Sequence, residues 1–251
     1  MEVGSVAATD IKPDISDNPE TSHTKLLVVG PRSLRDRKCE LGHLHRADGS
    51  CAYAQGNTVV WASVFGPGDI KASKQLFDRA AVEVNFKSKI STQAAMEECG
   101  NNLESLLLDA CTSAILIRQF PRTLISISVQ ELHNDGSLSS TAVNACCLAL
   151  LDAGMSMRSP FCAVTAVLDN DGNIHLDPDR KTTDRGNTAA RMDFVFLQDP
   201  GRAGAALSGC AAEGQFTPAQ LAEAQGLSFQ SAQLIFQFYR DALERKYSGE
   251  D

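Results

Sequence analysis

Arg46-Ala-Asp-Gly-Ser-Cys-Ala-Tyr-Ala-Gln-Gly-Asn-Thr-Val-Val-Trp-Ala-Ser-Val-Phe-Gly-Pro67 is the stretch that decides the fold. A turn at Asp48, Gly49 and Ser50 leads into a short strand. A second turn at Gly56-Asn57, residues that tolerate positive φ, leads into another strand, and Gly66-Pro67 closes it. That order specifies a β-hairpin. Working outward, Val82, Val84 and Phe86 alternate with Glu83, Asn85 and Lys87, the pattern of a half-buried strand. Leu103, Leu106, Leu107, Ala110, Cys111 and Ala114 recur at three- and four-residue spacing, which predicts a helix running to about Arg118 and ended by Pro121. Ile125, Ile127 and Val129 alternate in the next strand.

Thr141 to Leu151 is apolar on every side, as a fully buried helix would be, with Gly154 placed to cap its C-terminus. Strands are expected over 161–168 and 173–176, around the turn Asp169-Asn-Asp-Gly172. Two more are expected over 194–197 and 203–209. Thr217 with Pro218 opens a C-terminal helical region whose last helix carries Leu234, Ile235, Phe238, Tyr239 and Ala242. The order of elements gives an α+β domain over 25–251 in which helices cover sheet faces. Residues 1–24, rich in Asp, Glu, Ser, Thr and Pro, read as a disordered acidic tail, with order starting at Lys25.

Composition narrows the function classes. The chain has 251 residues, of which 43% are apolar and 22% charged, as in a soluble globular protein. No apolar run approaches the roughly 20 residues that span a bilayer, and the N-terminus lacks the pattern of a secretory signal. Membrane association is not expected, and an intracellular location is. The eight cysteines include no Cys-x-x-Cys pair and no histidine at zinc-ligand spacing, so reduced thiols and no metal site are expected. A net charge of −8 argues against a free-standing nucleic-acid binder and confines any RNA contact to a local patch. Asp169-Asn-Asp-Gly-Asn173 fails as a calcium loop, because its glycine comes too early and Arg180 stands where a bidentate Glu belongs. His133 and His175 have no partner at a catalytic or metal-binding spacing.

The hairpin closely resembles that of the ribonuclease PH family. The same resemblance extends in order through Phe120-Pro-Arg-Thr-Leu, Asn134-Asp-Gly-Ser, Asn144-Ala-Cys-Cys-Leu-Ala-Leu-Leu-Asp-Ala-Gly154, Leu176-Asp-Pro and Phe236-Gln-Phe-Tyr-Arg-Asp-Ala-Leu. It covers about Arg32 to Tyr247. Within the family, Asp-Gly-Ser-Leu at 135–138 and Phe-Tyr-Arg at 238–240 look most like a ring subunit of the RNA exosome. The resemblance implies a single domain with a core like ribosomal protein S5 domain 2, pairing through edge strands with related ring subunits. It also implies contact with single-stranded RNA, and residence in the nucleus, nucleolus and cytoplasm. Active members shorten RNA from the 3′ end with inorganic phosphate as nucleophile. That chemistry needs fixed positive charge at the two phosphates and a carboxylate pair for the departing ribose oxygen or a Mg ion.

Two departures set the expectations for this chain. The family places an arginine four residues after the Asp of its Asp-Gly-Gly-Thr-Arg segment; here that position is Ser139. Ser139 and Ser140 either accept an anion at a helix N-terminus or simply cap the buried helix. The first family aspartate falls on Thr183, or on Asp184 if one residue is inserted, and the second on Ala189 or Ala190. Asp184 is therefore the one catalytic candidate, with Asp177, Asp179 and Asp193 nearby. Lys71, Lys74, Lys87 and Lys89 form a basic cluster in sequence, in which Lys74 with Gln75 is the candidate contact to the RNA backbone. The leading reading is a structural, RNA-threading ring subunit with an impaired site. The alternative is a homodimeric phosphate-dependent nuclease acting on RNA or DNA, with phosphate and Mg as cofactors.

Overall fold

The structure, a computed structural model, describes residues 34–89, 93–184, 188–199 and 204–248. The expected acidic tail and the start at Lys25 lie outside them. Nine strands build two sheets. The first has the order β1 (Arg37–Leu41), β2 (Gly49–Gln55), β3 (Thr58–Asp69), β5 (Thr123–His133) and β4 (Ala81–Lys87). All its pairs are antiparallel except β4 with β5, whose parallel register needs a crossover. Helix α1 (Gln93–Ala114) supplies it. The second sheet is antiparallel, in the order β7 (Ile174–Leu176), β6 (Phe161–Asp169), β8 (Thr188–Asp199) and β9 (Gly204–Gly214).

Helix α2 (Leu138–Asp152) packs against β2 and β3 of one sheet and β6 and β8 of the other, which is why its sequence is apolar all round. Every residue from Ser140 to Leu150 is buried. Ser140 and Thr141 turn their hydroxyls to the Ser137 carbonyl, and Asn144 is bonded through both ends of its amide. It donates to the carbonyl of Ala163 (3.2 Å) and accepts from the Ala163 amide (2.8 Å) and the Tyr239 hydroxyl (2.9 Å). One side chain thereby ties α2 to β6 and to the C-terminal helix α4 (Pro218–Ser248). At the other end of α2, Gly49 lies so close that a Cβ there would stand 2.3 Å from the Ala153 amide nitrogen. Asp152 accepts from the Ser50 amide (2.9 Å) and pairs with Lys246, joining the hairpin mouth to α2 and α4.

The predicted elements are present, with instructive shifts. α1 stops at Ala114 rather than Arg118, because Ile115 pairs with Met157 and a 3₁₀ turn follows at Ile117–Gln119. β3 continues past Gly66-Pro67 to Asp69, its register shift between Phe65 and Gly68 absorbing the interruption. β8 and β9 are longer than their apolar cores, since pairing with β6 carries Thr188–Met192 into the sheet. α4 is one unbroken helix opened by a reciprocal cap: the Thr217 amide donates to Gln220 Oε1 (2.8 Å) and the Gln220 amide to Thr217 Oγ1 (3.4 Å). Residues 169–173 form a hairpin turn, with His175 bonded to Asp169 (2.6 Å). Among the described residues no helix is long and apolar enough to cross a membrane.

All seven described cysteines are free thiols. Burial pushes the thiols of Cys51, Cys147 and Cys162 up, while a hydrogen bond to Cys111 and then burial raise that of Cys146. A thiol reagent at neutral pH is therefore expected to modify the exposed Cys210 in the native protein and these four only after denaturation. Rapid native labelling of Cys146 or Cys147 would contradict the packing of α2. A second test concerns Asp177, whose fully buried carboxylate meets Arg35 Nη2 at 2.7 Å. Asp177→Ala removes the carboxylate partner of that guanidinium and is expected to cost about 2 kcal/mol in urea unfolding.

Candidate functional site

Three turns far apart in sequence meet at one place. The β2–β3 turn contributes Asn57 and Thr58, the segment before α2 contributes Asn134–Ser137, and the segment after β7 contributes Asp177–Asp179. Thr58 Oγ1 donates to the Gly136 carbonyl (2.7 Å) and accepts from the Asp135 amide (3.1 Å), while Asn57 Nδ2 donates to Asp135 Oδ2 (2.9 Å). His133 Nδ1 bonds the Asn57 carbonyl at 2.8 Å, a structural role. Arg35 donates to the carbonyls of Asp135 (3.1 Å) and Gly136 (3.2 Å) and to Asp177 Oδ1. Gly136 has φ +96°, and a Cβ there would lie 2.5 Å from the Pro178 carbonyl oxygen, so only glycine fits. The junction fixes the N-terminus of α2 against the short helix α3 (Arg180–Asp184).

The N-cap of α2 is Ser137, in the left-handed region at φ +51°. Its hydroxyl donates to the Pro178 carbonyl (2.9 Å) instead of capping the helix. Neither Ser139 nor Ser140 is the cap. Ser140 is fully buried and its hydroxyl donates to the Ser137 carbonyl (3.0 Å), which takes it away from the surface. Ser139 does face a cleft, and there the motif's missing cation reappears from another element. Arg191 of β8 donates from Nη2 to Ser139 Oγ at 2.9 Å.

Arg191 divides this cleft into two hollows. One is lined by Gly136, Ser137, Ser139, Thr165, Arg180 and Thr183. It combines the first turn of α2, whose N–H groups lack intrahelical acceptors, with two guanidinium-bearing residues, so it favours an anion. The other hollow is lined by Asn102, Asp193 and Glu213 beside Arg191. Asp193 is nearly buried and already committed: Oδ1 accepts from Thr165 Oγ1 at 2.5 Å and Oδ2 lies 3.3 Å from Arg191 Nη2. Both carboxylate oxygens of Asp193 are thus engaged within the protein. Arg191 Nε is buried with no hydrogen-bond partner among the described residues.

Other predicted site residues fall as follows. Asp184 closes α3, and its side chain lies outside what the structure describes. Thr183 lines the anion-favouring hollow. Ala189 shares a strand face with Arg191 and Asp193, whereas Ala190 is buried on the opposite face. The acid of β8 thus stands at Asp193, further along the strand than counting from Leu176-Asp-Pro places it. Asp179 caps α3; bonds from the Thr182 hydroxyl (2.5 Å) and amide (2.9 Å) hold its carboxyl below the ordinary range. Among the described residues no group of three or more His, Cys, Asp or Glu could hold a metal ion.

The basic cluster is spread along β4: Lys74 Nζ lies at Glu83, the third residue of the strand, and Lys87 follows four residues on, about 13 Å along it. Lys74 is exposed but paired with Glu83 (2.8 Å), whose hydrogen bond and charge raise its pKa. Gln75 is turned to the Ile70 carbonyl (3.3 Å). Arg191 was not singled out from sequence; its only signal there is its alternation with Asp193.

Residues 33–156 match domain 1 of the 3′ exoribonuclease family, RNase PH. A Caenorhabditis elegans exosome complex component, an RRP46 homologue, is 34% identical over 223 residues, 87% of this chain and 98% of its own length. The crystal structure of rice Rrp46 superposes with a TM-score of 0.78 at 27% identity, covering 86% of this chain and 97% of that one. A chain of an Archaeoglobus fulgidus exosome with RNA bound to the active site shares the fold, with a TM-score of 0.72 at 16% identity over 84% of this chain and 90% of that one. With its hairpin, its glycine-pinned turn and its cleft arranged in this way, the chain belongs to the RNase PH family of 3′ exoribonucleases.

Proposed function

We propose that this chain is a core ring subunit of an RNA exosome, contributing ring closure and part of the RNA path while another subunit supplies catalysis. The observation that carries the reading is β9. This strand forms one edge of the four-stranded sheet and is exposed along most of its length, including Leu207 at 42%. Its sequence, Gly-Ala-Ala-Leu-Ser-Gly-Cys-Ala-Ala-Glu-Gly, has no proline and no lysine, and only a bulge at Ser208 and the charge of Glu213 interrupt it. An edge of 11 residues with so few guards is suited to pairing with a related subunit.

The cleft supports the second half of the proposal. The anion-favouring hollow suits a phosphate, either inorganic or in an RNA backbone. The neighbouring carboxylate is neutralised by Arg191 and bonded by Thr165, which leaves it unsuited to activate a leaving group. No observation favours the alternative of a homodimeric nuclease needing Mg.

The test is assembly. Mixed with related ring subunits, the full chain is expected to elute in a stoichiometric complex, and Leu207→Asp to remain free while melting at the same temperature. A wild-type chain that forms a stable homodimer and ignores those subunits would overturn the proposal.

A further inference from the structure

Phe77 is 76% exposed, on the loop between β3 and β4. An exposed phenylalanine keeps its apolar surface in water and contributes nothing to a core. Yet the backbone beneath it is firmly held. The Arg122 amide donates to the Leu76 carbonyl (3.0 Å) and the Ala80 amide to the Ile117 carbonyl (2.9 Å), so residues 76–80 are bracketed by the segment that precedes β5. Arg122 holds φ +61°, a conformation disfavoured for any side chain with a Cβ, and its guanidinium carbon lies 5.2 Å from the Phe77 ring centroid. Strain of this kind persists where the surrounding structure enforces it, and it clusters at binding sites.

The surroundings select the ligand. Although the chain as a whole carries −8, the two segments 71–79 and 117–122 hold Lys71, Arg79, Arg118 and Arg122 against the acid Asp78, in addition to Lys74, which Glu83 pairs. A polyanion is attracted there, and an aromatic face beside cations adds what a phosphate alone does not use. A lysine suffices for a phosphate; a base needs a π-surface. We propose that Phe77, backed by Arg122, is a stacking platform for an unpaired base of single-stranded RNA. The proposal rests on the RNA-threading reading above and deepens it. It moves the contact from Lys74 and Gln75, which are engaged within the protein, to the aromatic ring beyond them.

The experiment measures binding of the full chain to a labelled oligouridine and to an oligonucleotide of equal length with abasic sugars, which keeps the phosphates and removes the bases. Wild type is expected to bind the abasic strand more weakly. Phe77→Ala is expected to weaken oligouridine binding roughly 5- to 100-fold, leave abasic binding and the salt dependence unchanged, and melt like wild type. Phe77→Trp should retain binding. Wild-type affinity for oligouridine in Phe77→Ala would overturn the platform alone. If that same variant also fails to join ring subunits, the patch is a protein contact instead. Failure of the wild-type chain to bind either strand at low salt would overturn the RNA-threading reading itself.

Discussion

The architecture of the cleft depends on the pairing of Arg35 with Asp177. The carboxylate is fully buried and the arginine partly so, and the same Arg35 reaches the carbonyls of Asp135 and Gly136. A buried ion pair contributes little net stability compared with apolar residues of the same shape, because both charges lose their hydration. Its consequence is geometric. With one partner removed the other is stranded, so the N-terminal segment, the turn before α2 and the corner after β7 are held in a single arrangement. Gly136 enforces the same contact sterically, since any side chain would strike Pro178.

From that junction the chemistry of the cleft follows. Pinning Asn134–Ser137 against Pro178 aims the first turn of α2 at β8, where Arg191 meets Ser139. The positive charge that the motif lacks at Ser139 is restored in space. The same guanidinium lies against Asp193, so charge that holds an anion also occupies the acid. Gain at one hollow is loss at the other. Under the function proposed above, such a cleft holds phosphodiester backbone while another subunit cleaves it.

Much of the fold was legible because packing imposes local patterns. The all-apolar run of α2 predicted burial on every side, and two sheets enclose it. Alternation in 82–86 and 125–129 marked β4 and β5. Less was legible where tertiary pairing overrides local preference: Ala189, Ala190 and Arg191 have little strand signature, yet β6 recruits them. The site was harder still. Counting along the chain located Ser139 but could not supply Arg191, which lies 52 residues away and meets it only through sheet geometry. Lys71, Lys74, Lys87 and Lys89 looked like one patch of available charge because the sequence does not show that Lys74 is paired with Glu83 of β4. Phe77 belongs to no sequence pattern, and only its exposure and the Arg122 contact distinguish it.

The most direct measurement of the central claim is the shortening of end-labelled single-stranded RNA by the purified full chain, with phosphate and magnesium present, beside Asp193→Asn and Asp184→Asn variants. With Asp193 held by Arg191 and Thr165, no phosphate-dependent shortening is predicted for wild type or either variant. Phosphate-dependent shortening by the wild-type chain that either substitution abolishes would contradict the account and make this cleft an active site.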